Sequence, residues 1–440
     1  MQEYFYSLAD ELTGRLSGGE AFLASYSGED STFVRFNRSL IRQPGSVRQR
    51  YFSLNLIAGR RHVKSTITLT GERGIDGRRL AATLDELRAQ LPHVQEDPYL
   101  LYNQQVQSTT QVRAGNLPDD GHALAAIDRA GAGRDMVGIY AAGDIHSGFA
   151  NSAGQRNWFS AGSFHMDWCF YHAADKAVKA SYAGFEWDQA AFDAKARTAG
   201  EQLAMLSQPP KTIQPGKYRA YLAPSALDDI LGTMSWGGFG LKAHRTKFTP
   251  LLKMIQQGAT LSPAVTISEN TADGIAPNFQ SQGFIKPPSV TMIDAGKFSQ
   301  CLVSPRSASE YSAATNGANS AEMPESLDMA GGQLAHADIM RELDTGVYVN
   351  QLWYLNFSDR PGGRITGMTR FASFWVEGGQ IVAPLNVMRF DDTIYNLLGE
   401  NLLALTSQRE FTPSASTYGG RSTSSIRLPG ALVKDMAFTL

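Results

Sequence analysis

A short segment in the first half of the chain carries side chains that could bind a metal ion. In SFHMDWCFYH, His165, Asp167 and Cys169 occupy alternate positions, and His172 follows. If the segment is a β-strand, the first three share one face and His172 lies on the opposite face, because strand side chains alternate. Imidazole, carboxylate and thiol groups are all metal ligands. A metal site at this strand is one hypothesis, and a strand with partly buried polar residues is the alternative.

No standard catalytic signature accompanies these residues. The sequence contains no Gly-x-Ser-x-Gly elbow, Gly-x-x-x-x-Gly-Lys loop or Gly-x-Gly-x-x-Gly turn after a strand. The segment between Arg35 and Lys64 holds eight Lys or Arg residues and no acid. This stretch could bind nucleic acid through Arg48 and Arg50, although a solvated strand face is the more common explanation of such a charge run.

The composition indicates a globular chain of ordinary charge. Its 440 residues are 42% hydrophobic and 19% charged, and the net charge of −2 provides no bulk attraction to nucleic acid or membrane. The N-terminus lacks a basic n-region, and no apolar run approaches the roughly 18 to 20 residues of a membrane span. Cys169 and Cys301 are too far apart in sequence for a Cys-x-x-Cys pair. We therefore expect a cytoplasmic protein.

These side chains are expected to sit on an α+β fold of two domains. The segment SQPPKTIQPG at 207–216 has three prolines in ten residues, which is typical of a linker. We predict an N-terminal domain at 1–206, with a mixed sheet and covering helices. We predict a C-terminal domain at 217–440, built mainly from an antiparallel sheet with helices.

The N-terminal half shows alternating strand and helix patterns. Strands are predicted over EAFLASYS, STFVRFN, VRQRYFSLNLIAG and HVKSTITLT, with turns at GED, QPGS and GRR. Helical spacing of apolar residues predicts helices at 4–16, at 80–91 before Pro92, and at 189–206. Strand patterns return between residues 137 and 187.

The segment 346–406 gives the most consistent local signals in the C-terminal half. VYVNQLWYLNF, RITGMTRFASFWVE and QIVAPLNVMRF predict three strands of an antiparallel meander. Gly378-Gly379 between the last two predicts a two-residue hairpin turn. A helix capped by Asp391 or Asp392 is then predicted. Its apolar stripe comprises Ile394, Leu397, Leu398, Leu402 and Leu405. Residues 259–340 are loop-rich and could either line a cleft or be disordered connectors.

The same segment resembles a known family. ITGMTRFASFWVEGGQI at 365–381 resembles the signature near the end of TldD/PmbA proteins, a Gly-Met-Thr-Arg followed by an aromatic-containing strand and a Glu-x-Gly hairpin. Further segments in the family's order are FVRFNRSLI, FANSAGQRN, DKAVKASYAGFEWD, CLVSPRSASEY with a later NGA, and SIRLPGALVKDMAFTL. The resemblance therefore covers nearly the whole chain.

The resemblance implies a zinc peptidase scaffold whose metal ligands are missing here. Active TldD-type members carry His-Glu-x-x-x-His on the helix after the first C-terminal strand, where two His hold zinc and Glu activates the bound water. The matching helix here, SALDDILGTMSW, contains no His. Asp228 and Asp229 point about 100° apart on a helix and cannot replace the chelating pair.

The resemblance thus implies a non-catalytic TldE/PmbA-like subunit of a TldD/TldE-type metallopeptidase complex that processes or degrades unfolded or leader-type peptides. This chain would bind no metal, and zinc would lie in a TldD-like partner; a heterodimer is expected and a homodimer stays open. The predicted substrate or partner contacts are Asn316, Gly317, Thr369 and Arg370, and a structural role is the alternative for each. A stand-alone metal-dependent peptidase using His165, Asp167 and Cys169, and a homodimeric regulatory protein that binds peptide or nucleic acid, are the alternatives.

Overall fold

The computed structural model describes residues 1–173 and 176–439. Asp175 and Leu440, which belong to two of the family-like segments, lie outside these ranges. The described chain combines helices with mixed and antiparallel sheets, so the predicted α+β class is confirmed. No helix in the described ranges is both long and apolar enough to cross a membrane.

The N-terminal half forms one mixed sheet. Its strands are β1 (Glu20–Asn37), β2 (Leu40–Ala58), β3 (Arg61–Thr68), β4 (Thr109–Arg113), β5 (Asp135–Asn151), β6 (Arg156–Tyr171) and β7 (Ala177–Gly184). The order runs β3-β2-β1-β5-β6, and both β4 and β7 pair with β6. The β4–β6 pair is parallel, and the other pairs in this sheet's described strands are antiparallel. Strand β4 was not predicted from the sequence.

Helices cover one face of this sheet, as predicted. They are α1 (Gln2–Thr13), α2 (Arg73–Gln90), α3 (Asp120–Gly131) and α4 (Gln189–Leu206). Helices α1 and α2 bury their leucines against Phe22 and Phe52, and α3 and α4 pack against Phe164 and Trp168. The opposite face includes Leu23 and Phe159, which contact Phe279 from the C-terminal half. The second face is therefore turned toward the rest of the chain.

Two predicted turns in the N-terminal half are wrong. GED at 28–30 lies inside β1, and QPGS at 43–46 lies inside β2, because the two strands pair along their whole length. Pro44 is tolerated there, since β3 pairs only with residues 51–58 and leaves this part of β2 at an edge. The turn is made instead by Arg38 and Ser39, which have φ of 53° and 57°.

The C-terminal half forms a second, mainly antiparallel sheet. Its strands are β8 (Gly216–Leu222), β9 (Ile267–Glu269), β10 (Val290–Asp294), β11 (Lys297–Phe298), β12 (Ser326–Met329), β13 (Gly346–Val349), β14 (Trp353–Asp359), β15 (Arg364–Met368), β16 (Ser373–Glu377), β17 (Gln380–Pro384), β18 (Arg389–Thr393), β19 (Leu402–Pro413) and β20 (Ser425–Phe438). Its helices are α5 (Pro224–Ser235), α6 (Leu241–Arg245), α7 (Leu252–Gln257), α8 (Pro305–Tyr311) and α9 (Ile339–Leu343). The pairs β8–β13 and β12–β20 are parallel.

The predicted three-strand meander is replaced by two separate ladders. Each of the three sequence runs divides into two strands; β13, β16 and β17 pair in one ladder, and β14, β15 and β18 pair in another. The second run bends where Thr369 exchanges hydrogen bonds with Met388. The predicted hairpin is confirmed, because Gly378 and Gly379 have φ of 54° and 75° between paired β16 and β17.

The helix predicted after Asp391 is also wrong. Residues 396–400 form one short π-helical turn, and β19 begins at Leu402 and pairs with β20. Asp392 does not cap a helix; its Oδ2 accepts hydrogen bonds from the Ala437 N–H and the Asn396 side chain. This carboxylate therefore ties the segment to β20, which favours a strand over continued helix.

The two halves contact each other along β7. The Ala372 N–H donates to the Ala177 carbonyl at 3.1 Å, and the Asn350 amide donates to the Lys179 carbonyl at 3.1 Å. Segment 207–216 follows α4 and packs beside β17, where the Lys211 N–H donates to the Pro384 carbonyl at 2.8 Å. The two sheets thus meet at β7, the strand that pairs with the candidate ligand residues of β6.

Candidate functional site

A cavity of about 920 Å³ lies where the two halves meet. Its walls come from β6, β7 and α4 of the N-terminal half and from α5, β19 and β20 of the C-terminal half. The loop between β19 and β20 also contributes Ser414, Ala415 and Ser424. A volume of this size is at the upper end of ordinary small-ligand sites, about 300 to 1,000 Å³, and accommodates an extended segment rather than a folded domain.

One wall is the face of β6 and β7 that turns toward the C-terminal half. His165 and Asp167 line the cavity together with Lys179 and Ser181 of β7. In the antiparallel register Asp167 lies opposite Ser181, and Cys169 lies opposite Lys179. Directly opposed residues project from the same face of a sheet. The sequence correctly placed the polar residues of β6 on one face, whereas it gave no signal that Lys179 would join them.

The facing wall is one stripe of α5. Pro224 occupies the first turn, and the residues that line the cavity are Ser225, Asp228, Gly232 and Ser235. These positions follow helical spacing, so they form a single face. The opposite face of α5 is apolar and buried in the C-terminal core, through Leu227, Ile230, Leu231 and Met234. The amphipathic pattern therefore directs a Ser-Asp-Gly-Ser stripe into the cavity.

The adjacent acids of α5 have different surroundings. Asp228 faces the cavity, whereas Asp229 accepts a hydrogen bond from the Leu352 N–H at 3.0 Å. Burial raises the pKa of Asp228 to about 6. Burial and the neighbouring Asp228 charge raise the pKa of Asp229 to about 7, and the Lys179 ammonium opposes both shifts. The predicted divergence of the two side chains is confirmed.

Burial also changes the titration of the β6 residues. It raises the pKa of Asp167, which Lys179 again opposes. It raises the pKa of the Cys169 thiol to about 11, with a smaller contribution from Asp167. His165 is 3% exposed, and burial together with the Arg421 charge lowers its pKa to about 4. At neutral pH His165 is therefore uncharged, and Cys169 is a thiol rather than a thiolate.

These residues do not fit a zinc site. The cavity-facing stripe of α5 supplies a single carboxylate ligand and no imidazole. Within residues 1–173 and 176–439, no three His, Cys, Asp or Glu side chains converge as a metal ion would require. His172 is exposed at the end of the strand. The geometry therefore gives no support to the hypothesis of a metal site at His165, Asp167 and Cys169.

The predicted contact residues Asn316 and Gly317 have internal roles in a loop. The Asn316 side chain accepts from the Val303 N–H and donates to the Cys301 carbonyl, both at 2.8 Å. Gly317 has a φ of 73°, and a Cβ there would lie 3.2 Å from the Ile285 carbonyl oxygen. Both residues therefore shape the loop, and their proposed contact with substrate or partner stays a prediction.

Thr369 and Arg370 lie at the bend between β15 and β16. Thr369 is buried, and its hydroxyl is hydrogen-bonded to the Met388 backbone. Its role here is therefore structural. The Arg370 guanidinium lies 4.4 Å from the ring centroid of Trp353, and its buried Nε has no hydrogen-bond partner in the described part of the chain. Its charge also lowers the pKa of Cys169, against the larger effect of burial. Arg370 is thus near the β6 face, and its contact role stays a prediction.

Two arrangements were not found from the sequence. His244 has no other histidine near it in the sequence. Its Nδ1 lies 3.0 Å from the Cys301 Sγ, and its Nε2 lies 2.7 Å from the Gly238 carbonyl oxygen. Arg421 reaches from the β19–β20 loop to the N-terminal sheet and donates to the Gly143 carbonyl at 3.0 Å and the Ser163 carbonyl at 2.8 Å. The Cys301–His244 contact and both Arg421 contacts have no local sequence signal, since these partners are distant along the chain.

The basic stretch between Arg35 and Lys64 lies on the β1–β2 hairpin and the start of β3. Arg48 there forms a salt bridge with Asp30 at 3.1 Å. An acid from the paired strand therefore offsets part of a charge run that looks uncompensated in the linear sequence.

Known proteins share this architecture. The PmbA/TldA metallopeptidase C-terminal domain family matches residues 215–440. The chain matches no curated protein sequence. It is similar to the crystal structure of TldE from Thermococcus kodakarensis, with a TM-score of 0.77, 12% identity, and coverage of 99% of this chain and 100% of that one.

Two further solved structures, each described as a putative modulator of DNA gyrase, have the same fold. The one from Thermotoga maritima has a TM-score of 0.75 and 14% identity, and the match covers 99% of each chain. The one from Bacteroides thetaiotaomicron has a TM-score of 0.77 and 15% identity, covering 99% of this chain and 98% of that one. These structural matches show the fold, and the family match extends over more than half of the sequence. The chain therefore belongs to the PmbA/TldD family of metallopeptidase-like proteins.

Proposed function

We propose that this chain is the non-catalytic, TldE-like subunit of a TldD/TldE-type metallopeptidase complex that processes or degrades unfolded or leader-type peptides. The observation that carries the proposal is the cavity-facing stripe of α5. In a family whose active members use an imidazole pair on this helix, the stripe here contains Ser225, Asp228, Gly232 and Ser235. This chain has the fold of the family but lacks the imidazole side chains that would bind zinc on this helix.

The cavity supports a role in holding peptide. Residues of both sheets line its walls, and the lining combines polar residues with apolar ones such as Met166, Leu327 and Ile426. An extended peptide can use its backbone for hydrogen bonds and its side chains for pocket contacts. A folded domain would not enter a space of about 920 Å³. Restriction to extended chains would then follow from size.

Catalysis would reside in a TldD-like partner. Its zinc would polarise the scissile carbonyl and lower the pKa of the attacking water. This chain would position the partner and enclose part of the peptide. The proposed assembly is a heterodimer. A homodimer of this chain is the alternative, and the test must distinguish the two.

The test is an affinity purification of this chain from its native cells, followed by mass spectrometry and metal analysis. The expected result is a second chain with His-Glu-x-x-x-His in equal amount, about one zinc per pair, and cleavage of unfolded peptides. Chelation should abolish cleavage, and zinc should restore it. As a matched control, replacement of the motif Glu in the partner should abolish cleavage while both chains still copurify.

Two results would contradict the proposal. The first is recovery of this chain alone as a homodimer from cells that express the candidate partner. The second is peptide cleavage by the purified chain without any partner. Either result would give new weight to a stand-alone activity or a regulatory binding role.

A further inference from the structure

We propose that the β19–β20 loop, residues 414–424, is a gate at one side of the cavity and that Arg421 holds it closed. An extended peptide passes this side of the cavity only when Arg421 releases the N-terminal sheet. The inference rests on the proposed function only in taking the ligand to be a peptide. Opening of the loop is a property of this chain, and it can be measured without a partner.

The loop lies across the junction of the two halves. Ser414 and Ala415 at its start and Ser424 at its end line the cavity. The Ser414 N–H donates to the Ser424 carbonyl at 2.9 Å, which holds the two ends together. Between these ends the chain leaves the C-terminal half, and Arg421 contacts the N-terminal sheet. A segment that begins at the cavity wall and reaches the opposite half restricts passage at that side.

The Arg421 side chain anchors the loop to the N-terminal sheet. Its guanidinium donates to the Gly143 carbonyl at 3.0 Å, and to the carbonyl and hydroxyl oxygens of Ser163 at 2.8 Å and 2.7 Å. These acceptors belong to β5 and β6, and they are uncharged. The Arg421 backbone N–H donates to Oε2 of Glu29 in β1 at 3.0 Å. One residue of the loop therefore contacts three strands of the opposite half.

Two features of this anchor favour its release. Arg421 forms no salt bridge within 4.0 Å in the described ranges. Its Nε is buried and has no hydrogen-bond partner among the same residues. A charge without a counter-ion and a buried donor without an acceptor both cost free energy. The removal of water also lowers the pKa of the guanidinium. The hydrogen bonds of the closed position are therefore partly offset by the desolvation of the group that makes them.

The rest of the loop has little apolar surface to hold it in place. Tyr418, its only aromatic residue, is fully exposed, and the other residues are Ser, Thr, Gly, Ala and Arg. A second polar contact runs from the Gln49 side chain to the Gly419 carbonyl at 2.9 Å. Gly419 has a φ of 80° and Gly420 follows it, so the backbone beside Arg421 can change conformation at low steric cost. Segments with few buried apolar contacts open locally at low free energy.

A permanent strap that holds the two halves together is the competing interpretation. The halves are, however, also joined elsewhere. The side chains of Asn103 and Gln155 both donate to the Gly283 carbonyl, at 3.0 Å and 2.8 Å. These contacts and the hydrogen bonds along β7 link the halves without the loop. Release of Arg421 is therefore expected to open the cavity rather than to separate the halves, and the experiment distinguishes the two.

The experiment measures how fast a thiol inside the cavity is alkylated in the full chain. Ser181→Cys places this thiol on β7, where Ser181 lines the cavity, and Cys169→Ala removes the nearby native thiol. Cys301 is not among the described residues that line the cavity, so it serves as an internal reference. The reagent is a maleimide attached to a short, uncharged peptide, and mass spectrometry gives the rate at each cysteine.

Arg421→Ala should raise the alkylation rate of the introduced thiol roughly tenfold or more, because several hydrogen bonds of the closed position are lost. Gln49→Ala, which leaves the Arg421 anchor in place, should raise the rate by a smaller factor, about two- to threefold. Tyr418→Ala is the matched control on the same loop and should leave the rate unchanged. Cys301 should react equally in every variant. Thermal unfolding establishes that each variant is folded before the rates are compared.

Three results would overturn the inference. The first is an unchanged rate in both Arg421→Ala and Gln49→Ala. The second is a rise of the same size at Cys301, which would indicate general loosening of the fold. The third is an equal rise in Tyr418→Ala.

The outcome is independent of the test of the proposed function, because the alkylation assay uses this chain alone. A gated cavity in a chain that copurifies with no partner would support the gate and contradict the complex. A permanently open cavity in a chain that copurifies with a TldD-like partner would do the reverse.

Discussion

Buried acids at two places in this molecule have raised pKa values, but their hydrogen-bond partners and the space around them differ. Glu269 is 6% exposed, and its Oε2 accepts hydrogen bonds from the N–H groups of Glu325 and Ser326, each at 2.9 Å. The void beside it has a volume of about 10 Å³. Asp167 and Asp228, in contrast, face a cavity of about 920 Å³ and have no cationic partner within 4.0 Å in the described ranges.

The difference shows that a perturbed pKa does not by itself identify a binding residue. Burial raises the pKa of Glu269 to about 7 and that of Asp228 to about 6. Glu269, however, already has backbone donors and lies near the Lys286–Glu325 ion pair. The fold supplies hydrogen-bond donors for the Glu269 carboxylate. The Asp228 carboxyl group, in contrast, lies beside the open cavity and has few partners. We therefore interpret Glu269 as structural, whereas the fold leaves the Asp228 carboxyl group facing the cavity without a cationic partner in the described ranges.

Replacing Glu269 should have the largest effect on stability. Glu269→Ala leaves two buried N–H groups without an acceptor, and we expect a loss of about 3 kcal/mol in the free energy of unfolding. Glu269→Gln keeps an acceptor oxygen and should lose less than about 1 kcal/mol. Urea denaturation measures both. Equal losses in the two variants would mean that the charge, rather than the two backbone hydrogen bonds, is the important feature.

Replacing Arg421 should have the next largest effect, on the β19–β20 loop that contributes Ser414 and Ser424 to the cavity. Arg421→Ala leaves the carbonyls of Gly143 and Ser163 without this donor, and we expect a loss of about 2 to 3 kcal/mol. Segment 414–424 should also be cleaved faster in limited proteolysis. Tyr418→Ala is the control, because this fully exposed residue lies on the same loop and should change neither quantity. Unchanged proteolysis in Arg421→Ala would show that the loop does not depend on this anchor.

Asp228→Asn should stabilise the free chain in a pH-dependent manner. The folded-state pKa of about 6 lies above the ordinary value of 3.8, so the folded chain binds this proton more tightly. The stability contributed by the proton is present below pH 4 and is lost as the pH rises through about 6. At pH 8 the variant should exceed the wild type by about 2 to 3 kcal/mol, and near pH 4 the two should converge.

Thermal or urea unfolding across this pH range measures the effect of Asp228→Asn. Glu410→Gln serves as the control, because its salt bridge with Lys195 is half-exposed and worth about 1 kcal/mol or less. A wild type that is more stable than Asp228→Asn at pH 8 would show that the carboxylate already has a stabilising partner, which would remove the contrast with Glu269.

Arg370→Ala should have the smallest effect on folding and a larger effect on the assembled peptidase. Its guanidinium stacks on Trp353 at 4.4 Å, an interaction worth about 1 kcal/mol or less at a partly exposed site. Peptide cleavage by the proposed complex should fall several-fold. Arg360→Ala is the matched control, since Arg360 also stacks on aromatic rings, 4.3 Å from Phe248. Equal losses of activity and stability in Arg370→Ala would favour a purely structural role.

Much of the fold was predictable where local pattern and tertiary environment agree. The helix at 189–206 was predicted at its observed bounds, and Gly378-Gly379 correctly indicated a hairpin. The helix predicted after Asp391 failed because the helical spacing of the leucines is realised only in the short turn at 396–400, and Leu402 and Leu405 lie in β19. Pairing with β20 decided in favour of the strand.

The sequence by itself determined the fold class, the family and the lack of histidine on α5, since these depend on local periodicity and on which residue types are present. It also placed His165 and Asp167 on one strand face. Tertiary structure alone decided that this face meets α5, that Lys179 joins it, and that Glu410 is paired while Asp228 is not. Those facts depend on contacts between residues far apart along the chain, which local patterns do not encode.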